Sequence, residues 1–337
     1  MTPNLLIVLA ALVALVATSL YALFGGADFG GGVWDVLASG PRRDAQRSSI
    51  GHAIGPVWET NHVWLIFTIV VLFTCFPAAF ASISVGLFVP LSFALVGIIL
   101  RGAAYAYRAH GSGENGATSP FWGHVFGIAS TIAPFFFGTA VGGLTIGGYR
   151  WSAPFSLAVG VLAVALCAQI AGIFLTLEND GALQSDFRAR AIAATFVLAA
   201  TGAVALAIAR LTEPHTFAAL VNTRSLPGIA IAMALGFAVL GALYTHRFAV
   251  ARFAVACETV AVLVGWYAAQ APYMVPGELT IAGAAAPASV LRAFLWLTAA
   301  GAVILLPSLV LLFRVFKTEI PSAGSVHQRT RAMRPPG

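Results

Sequence analysis

The chain has 337 residues, of which 59% are hydrophobic and only 9% charged, and its mean hydropathy is +0.91. An average soluble domain carries about 25% charged residues, so this composition excludes a soluble globular fold and indicates a chain embedded in lipid. The formal charge of +6 does not indicate nucleic-acid binding, because the Lys and Arg residues lie between apolar runs and in the C-terminal tail. The three scattered cysteines favour neither a disulfide framework nor a zinc site.

Nine apolar runs are long enough to cross a bilayer, since a transmembrane helix needs about 20 apolar residues. The runs are 5–25, 56–76, 79–100, 121–147, 155–177, 190–210, 226–246, 250–270 and 291–316. The first run follows no positively charged segment, so we expect a retained transmembrane helix rather than a cleaved signal peptide. The pattern predicts an all-α polytopic membrane protein of packed helical bundles, with 1–320 as a single membrane domain and 321–337 as a disordered cytoplasmic tail.

The Lys and Arg residues predict which side of the membrane each loop faces, because positive charge accumulates in cytoplasmic loops. One side, formed by alternate loops and the tail, carries Arg42, Arg43, Arg47, Arg101, Arg108, Arg188, Arg190, Arg247, Arg252, Arg314, Lys317, Arg329, Arg331 and Arg334. The other side carries only Arg150, Arg210, Arg224 and Arg292. The N-terminus is therefore predicted to be periplasmic and the C-terminus cytoplasmic.

Small residues spaced four apart predict close helix packing at two places, Gly26/Gly30 and Gly138/Gly142. The first pair lies in the stretch from Gly25 to Trp64, which places two acids, Asp28 and Glu59, beside or inside apolar runs. An ionisable group in a membrane segment is costly and marks a functional site by default.

The two acids are predicted to lie on the same side of the membrane. Asp28 is expected to end helix 1, where the helix dipole disfavours a negative charge, so it needs a partner. Glu59 is expected near the cytoplasmic end of helix 2. The two carboxylates could therefore approach each other.

Helix 2 carries the densest polar group of the chain, Trp58, Glu59, Asn61 and His62. Glu59 and His62 are three residues apart and share a helix face. Because Pro56 suits the first turn of a helix, one interpretation makes Glu59 a first-turn acid that complements the helix dipole. The other makes Glu59 a proton acceptor where the cytoplasm meets the membrane interior, since Asn61 and His62 extend the polarity inward.

Other polar residues lie in later apolar runs. Glu258 lies inside the eighth apolar run, 250–270. Two interpretations stay open for it, a structural hydrogen bond and a role in proton handling. Gln169 and His124 are expected to make interhelical hydrogen bonds, and Arg101, which closes helix 3, to extend towards the interface. Only His62 and His124 among the histidines lie in or beside apolar runs, and nothing pairs them at ligand geometry, so we expect no haem ligand in this chain.

Five short segments share an order and spacing typical of one family. They are GADFGGGVWDVL (26–37), IGPVWETNHVWLI (54–66), Phe76-Pro77, LRG (100–102) with Tyr105 and Arg108, and LENDGALQ-x-x-x-R-A-R (177–190). In these segments the chain resembles subunit II of the cytochrome bd-type quinol oxidases, a group that includes the cyanide-insensitive oxidases. The resemblance spans most of the chain, and the 54–66 motif is its most specific part.

This resemblance implies a heterodimeric oxidase of the bacterial inner membrane that takes electrons from quinol and reduces O2 to water. It implies that subunit I carries haem b, haem d and the quinol site and that this chain ligates no cofactor. Small single-helix subunits, membrane lipid and a structural quinone are further expected partners. By their place in the family's motifs, Trp58 and Glu59 match its proton route, Asp28 the acid of its first-helix motif, and Trp64 a Trp on a proposed oxygen route.

We therefore predict a subunit without haem ligands that supports subunit I and offers a cytoplasmic route for the protons consumed in O2 reduction. Such a complex would generate proton-motive force without pumping. The residues predicted for this route are Glu59, Asp28, Trp58, His62 and Asn61, with Glu258 as a further candidate. Two rivals stay open: a proton-coupled secondary transporter, although the repeats and broken helices typical of that class are not apparent, and a purely structural membrane scaffold.

Overall fold

The computed structural model describes residues 2–110 and 120–318. Its helices are α1 Pro3–Val36, α2 Arg43–Cys75, α3 Pro77–Gly86, α4 Phe88–His110, α5 Pro120–Thr145, α6 Pro154–Leu177, α7 Gly181–Thr212, α8 Pro214–Leu220, α9 Leu226–Tyr244, α10 Phe248–Gln270, α11 Ile281–Ala284 and α12 Ala288–Thr318. A short hairpin, β1 Tyr273–Val275 and β2 Leu279–Thr280, precedes α11. Within the described ranges nine helices are long and apolar enough to cross a membrane, namely α1, α2, α4, α5, α6, α7, α9, α10 and α12. The predicted all-α polytopic fold is confirmed.

The first two helices are longer than their apolar runs. α1 has 34 residues, about 51 Å at 1.5 Å per residue, and continues through Asp28 to Val36. α2 begins at Arg43, so Glu59 lies about four turns after its start. The interpretation of Glu59 as a first-turn acid is therefore wrong. The apolar part of α2 begins at Val57, which keeps Glu59 at the edge of the membrane-spanning part.

The chain divides into two compact units, Met1–Leu291 and Arg292–Gly337, the second described only to residue 318. In the first unit, α1, α2, α4 and α5 surround Asp28, and we call them the first bundle. α6, α7, α9 and α10 surround Glu258 and form the second bundle. α1 and α6 pack together and join the bundles. The predicted tail lies outside the described residues, and the single domain over 1–320 stays a prediction.

Close packing of α6 against its neighbours depends on the predicted small residues. Gly26 and Gly30 of α1 face α6, and a Cβ on Gly30 would overlap the backbone carbonyl of Cys167. A Cβ on Gly138 would lie 2.7 Å from a backbone carbonyl of α6, and one on Gly142 would lie 2.5 Å from an α6 Cα atom. The prediction of close packing at these pairs is confirmed, and this packing fixes where the helices place their polar side chains.

Candidate functional site

Asp28 lies in a buried ion pair with Arg101 of α4. The side chains are 0% and 2% exposed. Arg101 Nη2 donates to Asp28 Oδ1 and, at 3.2 Å, to the Asp28 backbone oxygen, while Nε donates to Ser130 Oγ of α5 at 3.0 Å. The guanidinium also lies over the rings of Phe29 and Phe126, at 5.3 and 4.9 Å from their centroids. The expectation that Arg101 extends to the interface is wrong, because it is the cation that makes a buried Asp28 tolerable.

Asn61 of α2 completes the surroundings of this carboxylate. Its Nδ2 donates to Asp28 Oδ2 at 3.1 Å, and its side chain is buried, with the residue 3% exposed. The Asp28 carboxylate therefore accepts hydrogen bonds from α2 and α4, and Arg101 extends the network to Ser130 of α5. Our expectation that Asp28 needs a partner is met. The sequence signal for that partner was a cation, Arg101, directly at the end of an apolar run.

Glu59 has a different environment, because it is exposed on the outer face of α2. This face continues as an apolar stripe of exposed residues, Val63, Ile66, Val70 and Phe73. Within the described ranges Glu59 makes no hydrogen bond or ion pair. Asn61 lies two residues after Glu59, so the two side chains point in directions about 160° apart around the axis of α2. Since Asn61 faces Asp28, the two acids do not share one site, and the predicted approach of Asp28 and Glu59 is not observed.

His62 and Trp58 lie between the exposed and the buried acid. His62 is half-buried, and its Nδ1 is 2.8 Å from the Trp58 backbone oxygen. A carbonyl oxygen can only accept, so Nδ1 carries the hydrogen and Nε2 of the neutral ring is free to accept a proton. The His62 and Trp58 rings meet edge to face with their centroids 5.1 Å apart. The Trp58 ring also lies beside the Tyr105 ring, at a centroid distance of 5.4 Å. His62 is close enough to Asp28 to interact with it electrostatically.

Glu258 occupies the centre of the second bundle. It is the eleventh of 23 residues in α10 and is 6% exposed. Gln169 Nε2 of α6 donates to Glu258 Oε2 at 3.0 Å and contacts Thr195 Oγ1 of α7 at 3.3 Å. The interhelical hydrogen bond predicted for Gln169 is confirmed. In the part of the chain that the structure describes, Glu258 forms no salt bridge.

The two histidines that lie in or beside apolar runs belong to different helices, His62 to α2 and His124 to α5. His62 is bonded to its own helix through Nδ1, and His124 is exposed near the start of α5. No group of three His, Cys, Asp or Glu residues in 2–110 and 120–318 could hold a metal ion. Trp64, which was predicted to line an oxygen route, is 8% exposed. Its ring centroid is 6.1 Å from that of Phe67.

A polar cluster, which sequence reasoning missed, joins the α1–α2 loop to α7 at the predicted cytoplasmic side. Arg42 Nε and Nη2 donate to the two carboxylate oxygens of Asp186, at 2.8 and 2.5 Å. Gln46 Nε2 donates to Asp186 at 2.9 Å, and Arg190 donates to Gln46 Oε1 at 2.7 Å. These residues line a cavity of about 340 Å³. The cluster therefore holds the start of α2 against the first turns of α7.

Comparison with known proteins gives a consistent result. The family model for cytochrome bd terminal oxidase subunit II matches residues 6–316. The cytochrome bd ubiquinol oxidase subunit 2 of Bacillus subtilis is 28% identical over 175 residues, which cover 48% of this chain and 51% of that protein. The cytochrome bd-I ubiquinol oxidase subunit 2 of Escherichia coli is 26% identical over 193 residues, covering 52% and 50%. The chain thus spans about half the length of these relatives in the matched segments.

A solved structure extends the likeness of the fold to nearly the whole chain. The bd oxidase from Geobacillus thermodenitrificans superposes with a TM-score of 0.79 at 22% identity. The match covers 94% of this chain and 99% of that chain. At this identity the match shows a shared fold.

Proposed function

The chain belongs to the family of cytochrome bd terminal oxidase subunit II, and we propose that it is the subunit without haem ligands in a membrane-bound quinol oxidase that reduces O2 to water. Its partner is a haem-bearing subunit I, which holds haem b, haem d and the quinol site. The complex lies in the bacterial inner membrane, with the N-terminus of this chain periplasmic and its C-terminus cytoplasmic. Small single-helix subunits, lipid and a structural quinone are further partners in this proposal.

The observation that carries the proposal is the exposed carboxylate of Glu59 at the start of an apolar outer face. A charge beside lipid is costly and normally faces a protein partner or water. Glu59 sits at the edge of the membrane-spanning part of α2, at the side predicted to be cytoplasmic. These features support a group that takes protons from cytoplasmic water at the surface where subunit I docks.

His62 supports a continuation of this route inwards. It lies three residues after Glu59 on the same helix face, and its Nε2 is the free acceptor of the ring. A proton passed from Glu59 to Nε2 gives an imidazolium whose Nδ1–H stays bonded to the Trp58 carbonyl. The Asp28 carboxylate, oriented by Asn61, stabilises that positive charge from nearby. In this proposal Asp28 acts as a fixed charge beside the route. The haem groups supply the redox chemistry in subunit I.

Two further residues have proposed roles. Trp64, buried in the first bundle, is proposed to line the oxygen route that the family resemblance implies. Glu258 is proposed as a second proton-handling group, because it is a buried carboxylic group without a salt bridge in the described ranges.

The test is Glu59→Gln in the assembled complex, which keeps size and polarity and removes the titrating proton. We expect quinol-driven oxygen consumption and the accompanying proton uptake to fall about 100-fold or more, as for loss of a positioned proton-transfer group. The matched control is Asp44→Asn, because Asp44 is another exposed acid of α2, in its first turn. This control should retain full activity.

Other outcomes separate the rival functions. Copurification with a haem-bearing partner and a d-type haem spectrum support the oxidase. Unchanged oxygen consumption and proton uptake in Glu59→Gln would leave this chain a structural scaffold of the complex. Solute uptake by this chain alone in liposomes would instead favour a proton-coupled transporter.

A further inference from the structure

Asn61 has a buried side-chain oxygen that no described residue satisfies. Its Nδ2 donates to Asp28 Oδ2, and the carboxylate that pairs with Arg101 can only accept. This bond fixes the orientation of the amide, so Oδ1 must point elsewhere. Oδ1 is buried and has no hydrogen-bond partner in the described ranges. Buried polar atoms almost always have a partner, either a protein group or an ordered water.

Two more buried polar atoms belong to α1 and α2. The Tyr21 hydroxyl and Trp64 Nε1 also have no hydrogen-bond partner among the described residues. Trp64 follows Asn61 by three residues, and Tyr21 precedes Asp28 by seven, so each is on the same side of its helix as the Asp28–Asn61 contact. The chain runs in opposite directions in α1 and α2, so both residues lie on the same side of Asp28 along the membrane normal.

Gly25 of α1 lies beside both Asn61 and Tyr21. A Cβ built on Gly25 would lie 3.0 Å from Asn61 Oδ1 and 3.5 Å from Cε2 of the Tyr21 ring. Asn61 Oδ1 and the Tyr21 ring therefore flank the same glycine, and neither Asn61 Oδ1 nor the Tyr21 hydroxyl has a hydrogen-bond partner in the described ranges. A gap between polar groups that is too wide for a direct hydrogen bond is commonly bridged by water. The three atoms include an acceptor, a hydroxyl and an N–H donor, which is the set of partners that an internal water needs.

We propose that ordered water binds in the α1–α2 seam beside Gly25, held by Asn61 Oδ1, the Tyr21 hydroxyl and Trp64 Nε1. The water donates to Asn61 Oδ1, accepts from Trp64 Nε1, and exchanges a hydrogen bond with Tyr21. It extends the polar surroundings of Asp28 towards the membrane interior. Its binding does not depend on the proton role proposed for Glu59.

The experiment is a set of cryo-electron microscopy maps of the assembled complex in lipid nanodiscs, at a resolution that shows ordered water. We expect density within about 3.2 Å of Asn61 Oδ1 in the wild type. In Gly25→Ala the added methyl group crowds Asn61 Oδ1, and the density should be lost. The control is Gly51→Ala, another glycine in a helix, where an added Cβ meets nothing within 4 Å. This variant should keep the water.

A second variant covers the case in which Gly25→Ala does not assemble. Tyr21→Phe removes only the hydroxyl, so we expect the water density near Asn61 to weaken or vanish without a shift of the helices. The inference is overturned if a wild-type map that resolves other internal waters shows none beside Asn61, or shows Tyr21 bonded directly to Asn61. A Glu59→Gln complex should keep the water, so the failure of one proposal is distinguishable from the failure of the other.

Discussion

Each bundle surrounds one of the candidate acids, Asp28 in the first and Glu258 in the second, and the two are accommodated by different physical means. In the first bundle Asp28 is paired with a guanidinium that is itself buried, bonded to Ser130 and placed over two aromatic rings. In the second bundle Glu258 accepts a hydrogen bond from the neutral amide of Gln169 and has no salt bridge in the described ranges. The first site is a compensated charge, and the second is suited to a carboxylic acid that keeps its proton.

This difference predicts how each site responds to substitution. Removing one member of a buried ion pair leaves the other charge without compensation, which costs more than the intact pair contributes. Replacing a buried acid that is not charged by a neutral group of the same shape removes little. Stability measurements can therefore separate the two sites, even though both acids lie inside helices long and apolar enough to cross the membrane.

The largest effect is expected from Arg101→Met, which removes the cation beside Asp28. The free energy of unfolding should fall by about 3–5 kcal/mol, because Asp28 would keep only the Asn61 amide as a partner. Denaturant-induced unfolding of the purified complex, followed by loss of helical circular dichroism, measures the change.

The control is the double variant Arg101→Met with Asp28→Asn. It removes the negative charge as well and should recover most of the lost stability. If the double variant is as unstable as the single one, the packing of the guanidinium against Phe29 and Phe126 matters more than its charge.

A smaller loss is expected from Gln169→Leu in the second bundle. The substitution keeps the approximate size but removes the donor to Glu258 Oε2, so it should cost about 1–3 kcal/mol in the same unfolding experiment. Thr201→Val of α7 is the matched control, because the Thr201 hydroxyl donates to the Val197 and Leu198 backbone oxygens of its own helix. A cost for Thr201→Val equal to that of Gln169→Leu would mean that the Glu258 bond is not the stabilising contact.

The number and type of the helices were predictable, because a segment's ability to cross a membrane depends on its own apolar length. The ends of α1 and α2 were not predicted. Residues from Ala27 to Val36 and from Arg43 to Pro56 include many glycine and polar residues, yet they are helical. Their helical state depends on packing, as where Gly30 lets α1 approach α6, and hydropathy does not record such contacts.

The sequence indicated which acids belong to the candidate site, but it did not indicate how their side chains are arranged. The cost of an acid in a membrane helix was enough to single out Asp28, Glu59 and Glu258. The pairing of Asp28 with Arg101 depends on how α4 packs near α1, more than 70 residues away in the chain. The rotation of α2 about its axis decides that Asn61, rather than Glu59, faces Asp28, and that rotation is a property of the packed bundle.

The smallest effect is expected from Glu258→Gln, and it is the sharpest test of the difference between the bundles. The new amide can still accept from Gln169 Nε2, so the free energy of unfolding should change by less than about 1 kcal/mol. Asp28→Asn is the same type of change in the first bundle, but it leaves Arg101 buried without its anion and should cost about 3–5 kcal/mol. Equal losses in the two variants would contradict the comparison, because they would mean that the Glu258 carboxyl stabilises its bundle as much as the Asp28 carboxylate does.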